Sequence, residues 1–272
     1  MTLRLTTLAA LLAGALALTA CGGSGASAKG CVATPGSAPG AVQAPADCPV
    51  SSVVAVDATG ALQDRALARD VSSAALRAAE HTITAGGRLR MVVFAGDADS
   101  VEVIYDDDVP TLEQSDETRR GPLEQNLRSA IGATLDGALG VDRSDRALAA
   151  RVRRLARGGT SDIARAVRNA LSDLKQDSGA QAMTLVSDGA QASDQLELAR
   201  RLQAGDSSAR LARRLGKLLG SADGVDVVQA VGLGRLPDRV NQSSRRTDEL
   251  VQIWRTACER TGAARCATTT EL

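Results

Sequence analysis

Apolar and polar residues along this chain fall into two alternating rhythms. Val53-Val54-Ala55-Val56 is an unbroken apolar run that stops at Asp57, and residues 52–56 read as a strand buried on both faces. From residue 61 to about 85, Leu62, Ala66, Leu67, Val71, Ala74, Ala75 and Leu76 recur at helical spacing until Gly86-Gly87 ends the pattern. Two strands follow, 89–95 with Met91-Val92-Val93-Phe94 at its heart and 101–105 with half-exposed alternation. The tight loop Gly96-Asp97-Ala98-Asp99 between them predicts an antiparallel edge hairpin. Helical patterns then occupy about 122–139 and 144–157, and Gly158-Gly159-Thr160 breaks them. A new helix opens at Ser161 or Asp162 and carries Ile163, Ala166, Val167, Ala170, Leu171 and Leu174, with Thr160 or Ser161 placed to cap it. A strand at 181–187 again ends at a carboxylate, Asp188-Gly189. Residues 196–220 are largely helical with a break near Gly205-Asp206. A strand at 225–231 closes on Gly232-Leu233-Gly234, and a final helix at 244–261 carries Trp254.

Strands alternating with helices in this order predict an α/β fold: a doubly wound, mostly parallel sheet with one antiparallel edge hairpin, helices on both faces and right-handed crossovers. The part before it is different in kind. Met1 to Arg4 give a short positive start, residues 5–18 an apolar run too short to span a bilayer, and Leu18-Thr19-Ala20-Cys21 a small-residue cleavage site. Residues 22–49 are rich in Gly, Ala, Ser and Pro and read as a tether, because they bury too little to offset the entropy of ordering. The expected organisation is a signal segment at 1–20, a tether at 21–49 and one domain at 50–272.

Composition then narrows the function. Removing residues 1–20 takes away one base and no acid, which leaves a formal charge of −1. Neither that balance nor a chain with one Trp, one Tyr and one Phe offers nucleic acid an electrostatic footprint or a stacking platform. Five cysteines in an exported chain count as one plus four. The pairing Cys31 with Cys48 and Cys258 with Cys266 closes short loops. A long-range pairing between the tether and the last helix is the alternative.

Chemistry concentrates where strands end. Asp57 with Thr59, Thr160 after two glycines, and Asp188 before a glycine each put oxygen ligands at a strand end or a helix start, where ligands of open α/β sheets gather. The plain structural alternative is that Asp57 caps a turn, Thr160 caps a helix and Asp188-Gly189 is an ordinary turn. Elsewhere the residues carry less. Asp106-Asp107-Asp108 read as a solvated turn at the end of an edge strand. His81 is the only histidine and lies at the end of a helix, so no triad or His-based metal site can be built. Thr59 stands where an aspartyl phosphotransferase would need a second acid. Gly232-Leu233-Gly234 lacks the third glycine of a dinucleotide fingerprint. Arg210, Arg213, Arg214 and Lys217 read as the solvated face of an amphipathic helix, with an anionic lipid surface as the alternative.

Taken together, the three oxygen-bearing loops, the hairpin with Met91-Val92-Val93-Phe94, the Gly158-Gly159-Thr160 turn, Thr184-Leu185-Val186-Ser187-Asp188-Gly189 and Val231-Gly232-Leu233-Gly234 resemble the von Willebrand factor A domain. The resemblance covers nearly the whole of residues 50–272. Leu18-Thr19-Ala20-Cys21 likewise resembles the bacterial lipobox, which implies export, acylation of Cys21 and a lipid anchor on the outer face of the cell membrane, or on the outer membrane if the cell has two membranes. The domain resemblance implies a metal-ion-dependent adhesion site at the top of the sheet, holding Mg²⁺ or Mn²⁺ and taking a partner's carboxylate. Asp57, Thr59, Thr160 and Asp188 stand at four of its ligand positions, and Ala61 stands where a second Ser belongs, so a water would replace that hydroxyl. Such oxygen-rich, water-retaining shells suit Mg²⁺. The expectation is a cell-envelope lipoprotein, not an enzyme, that binds an unidentified protein or envelope ligand through an acidic side chain and contacts the membrane through its lipid. The alternative is a metal-independent scaffold subunit of an envelope complex.

Overall fold

A computed structural model of the chain describes residues 30–96, 101–111, 117–142, 145–158, 161–235 and 243–272. In chain order, Thr34–Pro35 (β1) and Val42–Gln43 (β2) make a small antiparallel ribbon, followed by Val50–Asp57 (β3) and Arg65–Ala85 (α1). Gly87–Phe94 (β4) and Val101–Val109 (β5) come next, then the helices Glu117–Ala138 (α2), Arg146–Leu155 (α3) and Ile163–Leu174 (α4). Ala180–Val186 (β6) precedes a two-residue ribbon, Ala192–Ser193 (β7) with Leu196–Glu197 (β8). Leu198–Gln203 (α5), Ser208–Leu219 (α6), Val227–Val231 (β9), Ser244–Glu259 (α7) and Arg265–Thr268 (β10) complete the order.

The fold is mixed α/β around a six-stranded, mostly parallel sheet of order β10-β9-β6-β3-β4-β5. Every neighbouring pair is parallel except β4 with β5, which forms the antiparallel edge hairpin. β3 lies between β4 and β6, and strand order reverses there, since the chain first builds outward through β4 and β5 and then returns to β6. All eight residues of β3 and all seven of β6 are buried, as a strand covered on both faces requires. The pleat sends Val53 and Ala55 into one apolar layer with α4, α6 and α7, and Val54 and Val56 into the opposite layer with α1, α2 and α3.

Several elements differ in extent from their sequence pattern, each for a physical reason. α1 begins at Arg65 rather than at residue 61, because the Asp64 carboxylate accepts from the free amides of Ala66 and Leu67 and makes the better cap. The stretch before it forms a single 3-10 turn, Ala61–Gln63. Asp106-Asp107-Asp108 stay within β5 instead of turning away: the Asp106 carboxylate takes Arg88 at 3.2 Å and Arg90 at 2.7 Å from β4 across the hairpin. β10 has four residues and no apolar run, so its place in the sheet comes from pairing with β9 and from the Cys258–Cys266 bond to α7.

Residues 30–49 have the composition of a tether but pack on the domain. The Gln229 amide donates to the Gly40 carbonyl at 2.6 Å, the Asp226 carboxylate accepts from the Ala33 amide at 3.2 Å, and Arg265 donates to the Ala33 carbonyl at 3.1 Å. Cys31 is bonded to Cys48, which is fully buried. The segment overcomes its weak hydrophobicity because cross-linking shortens the loop whose entropy it must offset. The expected signal segment 1–20, the expected lipid site Cys21 and residues 22–29 lie outside the described residues.

The Cys258–Cys266 bond closes eight residues, for which loop entropy alone gives about 2.5 kcal/mol. The double variant Cys258→Ser, Cys266→Ser is expected to lose about that much in urea unfolding at unchanged m. Hydrogen exchange should then show β10 amides losing protection before those of β3.

Candidate functional site

Asp57 closes β3 at the point where strand order reverses, and its carboxylate is nearly shut off from solvent, with 6% of the residue exposed. A carboxylate there must be satisfied by donors, and three loops supply them. Oδ1 accepts from the Thr59 amide at 2.9 Å. Oδ2 accepts from the Ser161 hydroxyl at 3.0 Å and from the Ser187 hydroxyl at 2.9 Å. The hydroxyl of Ser187 in turn accepts from the Gly189 amide at 3.0 Å.

The loops are also tied to one another. Ser161 and Ala192 exchange both backbone hydrogen bonds, and the Asp162 amide donates to the Gly96 carbonyl at the end of β4. Gln191 is fully buried; its carbonyl accepts from the Ala164 amide at 2.7 Å, and its amide donates to Asp162 at 3.0 Å and Ser193 at 2.9 Å. Gly189 has φ +73, and a Cβ there would fall 2.6 Å from Leu233 and 2.7 Å from the Trp254 indole nitrogen. That indole donates to the Gly189 carbonyl at 2.9 Å, so only glycine fits this turn.

Asp188 follows Ser187 and faces the same hollow as Asp57. Burial pushes its carboxyl up, the charge of Asp57 adds to the push, and the bond from the Ala190 amide at 2.8 Å opposes it, leaving a pKa of about 7. Beside it, Thr59, whose amide binds Asp57, has a buried hydroxyl with no hydrogen-bond partner, and Arg235 lines the hollow with the two carboxylates. Two mutually repelling carboxylates beside an orphaned hydroxyl make a donor set that suits a hard, oxygen-seeking cation. Asp57, Asp188 and Thr59 would hold it, and the cation would supply a coordination position for an acidic group from outside. Among the described residues no three His, Cys, Asp or Glu side chains gather at one place, so such a site would lean on hydroxyls and water.

Of the four ligand positions expected from sequence, the structure brings Asp57, Thr59 and Asp188 to one corner. Thr160 lies outside the described residues, and its neighbour Ser161 reaches Asp57. Ser161 and Ser187 also bind Asp57 directly, beyond the four expected positions. The available signal was a lone hydroxyl directly before Asp188 at the end of an apolar strand. Ala61 is buried, lines the hollow and offers no oxygen. The space is small, about 10 Å³, at the lower limit for one water, and Gly232, Arg235 and Leu272 line one side of it. Residues 269–271 hold Leu272 there: the Gly232 amide donates to the Glu271 carbonyl and the Leu233 amide to that of Thr269.

Other candidates resolve into structure. A ring nitrogen of His81 sits 3.0 Å from the Cys48 carbonyl, which ties α1 to the disulfide loop. On α6, Leu211, Leu215 and Leu219 are buried while Arg210 lies 4.0 Å from Asp206 and Arg214 binds the Gln195 carbonyl.

No protein-family model matches the chain, and no curated protein matches it either. Among solved structures, the pilus adhesin SpaC from Lactobacillus rhamnosus GG in its open conformation is similar at 13% identity and a TM-score of 0.42. The match covers 89% of this chain and 31% of the adhesin, so the chain spans less than a third of that protein's length. A likeness at that level assigns neither family nor activity.

A carboxyl raised to about 7 when folded, against an ordinary value near 4 when unfolded, binds more protons in the folded state between those limits. Its contribution therefore weakens the fold as pH rises through that window. With chelator present, the wild-type melting temperature is expected to fall between pH 4.5 and 7.5 more steeply than that of Asp188→Asn. The two should converge at the acid end; parallel melting curves across the range would contradict the buried, repelled carboxyl.

Proposed function

We propose that residues 50–272 are a von Willebrand factor A-like binding module, not an enzyme. It would capture a protein or envelope ligand at the carboxyl ends of its parallel strands, with Asp57, Thr59, Thr160 and Asp188 as ligands for Mg²⁺ or Mn²⁺. The observation that carries this reading is the convergence of three loops on Asp57 at the reversal of strand order, beside Asp188 and the unpartnered hydroxyl of Thr59. The six-strand order with a single antiparallel edge hairpin supports the finer family reading. The Leu18-Thr19-Ala20-Cys21 motif supports export and a lipid anchor at Cys21, on the outer face of a membrane.

A metal-independent scaffold subunit is the second reading, and two observations favour it: Ala61 gives the hollow no hydroxyl, and the hollow, at about 10 Å³, has room for no more than one water.

Calorimetric Mg²⁺ titration and thermal melting separate the two. On the first reading, Mg²⁺ at about 100 times its Kd stabilises the protein by about 2.7 kcal/mol, roughly 5 °C or more in melting temperature. Asp57→Ala and excess chelator each remove the shift and the capture of ligand from envelope extract. Identical melting and capture with and without chelator would refute the metal part. Ala61→Ser restores a hydroxyl at the hollow: higher metal affinity with unchanged ligand capture supports the scaffold reading.

A further inference from the structure

We propose that a cleft between the 140–142 turn and α3 is a binding subsite for a carboxylate-bearing segment of a protein partner. The cleft encloses about 450 Å³ and is lined by Arg65, Gly140, Asp142, Arg146, Ala149 and Arg153. Arg146, Ala149 and Arg153 are spaced i, i+3, i+7 and form one stripe of α3. Ala149 is buried and ends at Cβ, so it adds only a methyl group to the lining between the two arginines.

The three arginines are held in different ways. Arg65 donates through Nε at 3.1 Å and Nη2 at 2.7 Å to the Val141 carbonyl, which fixes the plane of its guanidinium at the cleft wall. Gly140, at φ +72, admits the Arg153 guanidinium, because a Cβ there would lie 3.0 Å from Nη2. Neither Arg146 nor Arg153 has a carboxylate partner among the described residues. Arg151, on another face of the same helix, is bound through both Nε and Nη2 by Glu102. Three guanidinium groups against the single carboxylate of Asp142 leave the wall positive, while the amino end of α3 is already capped by the Asp145 carboxylate. Planar guanidinium forks suit carboxylates in pairs.

A peptide segment fits better than a lipid surface. The cleft is concave, so headgroups on a flat bilayer would meet its rim, whereas acidic side chains of an extended segment can enter. Position argues the same way. Gly60, Ala61 and Leu67 line the hollow at Asp57, and Arg65 between them in sequence lines the cleft. A single segment laid across the first turn of α1 would touch both places. The cleft stands on its own residues and does not depend on a cation at Asp57.

The test uses fluorescently labelled hexaglutamate and anisotropy, with chelator present throughout so that a failure of the metal site leaves this result untouched. Expected are binding that weakens as salt rises, at least tenfold weaker binding by the variant Arg146→Glu, Arg153→Glu, and undiminished binding by Arg213→Glu, Lys217→Glu on α6. The milder pair Arg146→Gln, Arg153→Gln, with a wild-type melting temperature, should weaken binding severalfold and excludes misfolding as the cause. No binding by the wild-type protein, or equal loss from the α6 pair, would overturn the proposal. So would anionic phosphatidylglycerol vesicles that bind through Arg146 and Arg153 while hexaglutamate does not.

Discussion

The carboxylate of Asp57 is the constraint on which the top of this molecule depends. It ends a strand whose every residue is buried, at the centre of the sheet, and it can remain there as an anion only if several donors converge on it. Thr59, Ser161 and Ser187 are those donors, and each belongs to a loop that would otherwise have no common anchor. The order spreads outward from there. Ser161 is paired to Ala192, Gln191 is locked to the start of α4, and Trp254 on α7 holds the Gly189 carbonyl. The start of α4 and Trp254 of α7 thus meet the loops that converge on a single charged group.

Next to this saturated carboxylate lies an unsaturated one. Asp57 has its hydrogen bonds, whereas Asp188 is pressed toward neutrality by burial and by Asp57, and the hydroxyl of Thr59 has nothing to bond. Natural interiors rarely leave such groups uncompensated without a use for them. Leu272 lines the same hollow with an apolar side chain. The corner therefore combines rigid loops with a pair of groups whose needs the protein alone does not meet.

The alternation of strands and helices was legible in the sequence because β3 and β6 are continuous apolar runs and α1 and α4 carry clean helical spacing. β10 was not legible: a four-residue strand with Arg265 and Thr268 has no hydrophobic signature, and its pairing depends on a disulfide and a neighbour. Nor was the packing of residues 30–49, since composition reports what a segment can bury by itself and not what Gln229, Asp226 and Arg265 offer it from far along the chain. At the site, Asp57, Thr59 and Asp188 could be read from their places at strand ends. Ser161 could not, because a serine beside a glycine-rich turn looks like any loop residue until the loops close on a shared acceptor.

The three consecutive aspartates of β5 have a consequence beyond their own strand. β5 is an edge of the sheet, and its outer backbone groups are a template on which another strand could grow. Asp106 is spent on Arg88 and Arg90, but Asp107 and Asp108 stay exposed along that edge. Two copies meeting edge to edge would have to bring these carboxylates together, which like-charge repulsion and desolvation both oppose. At high local density, this edge resists fusion into a continuous sheet.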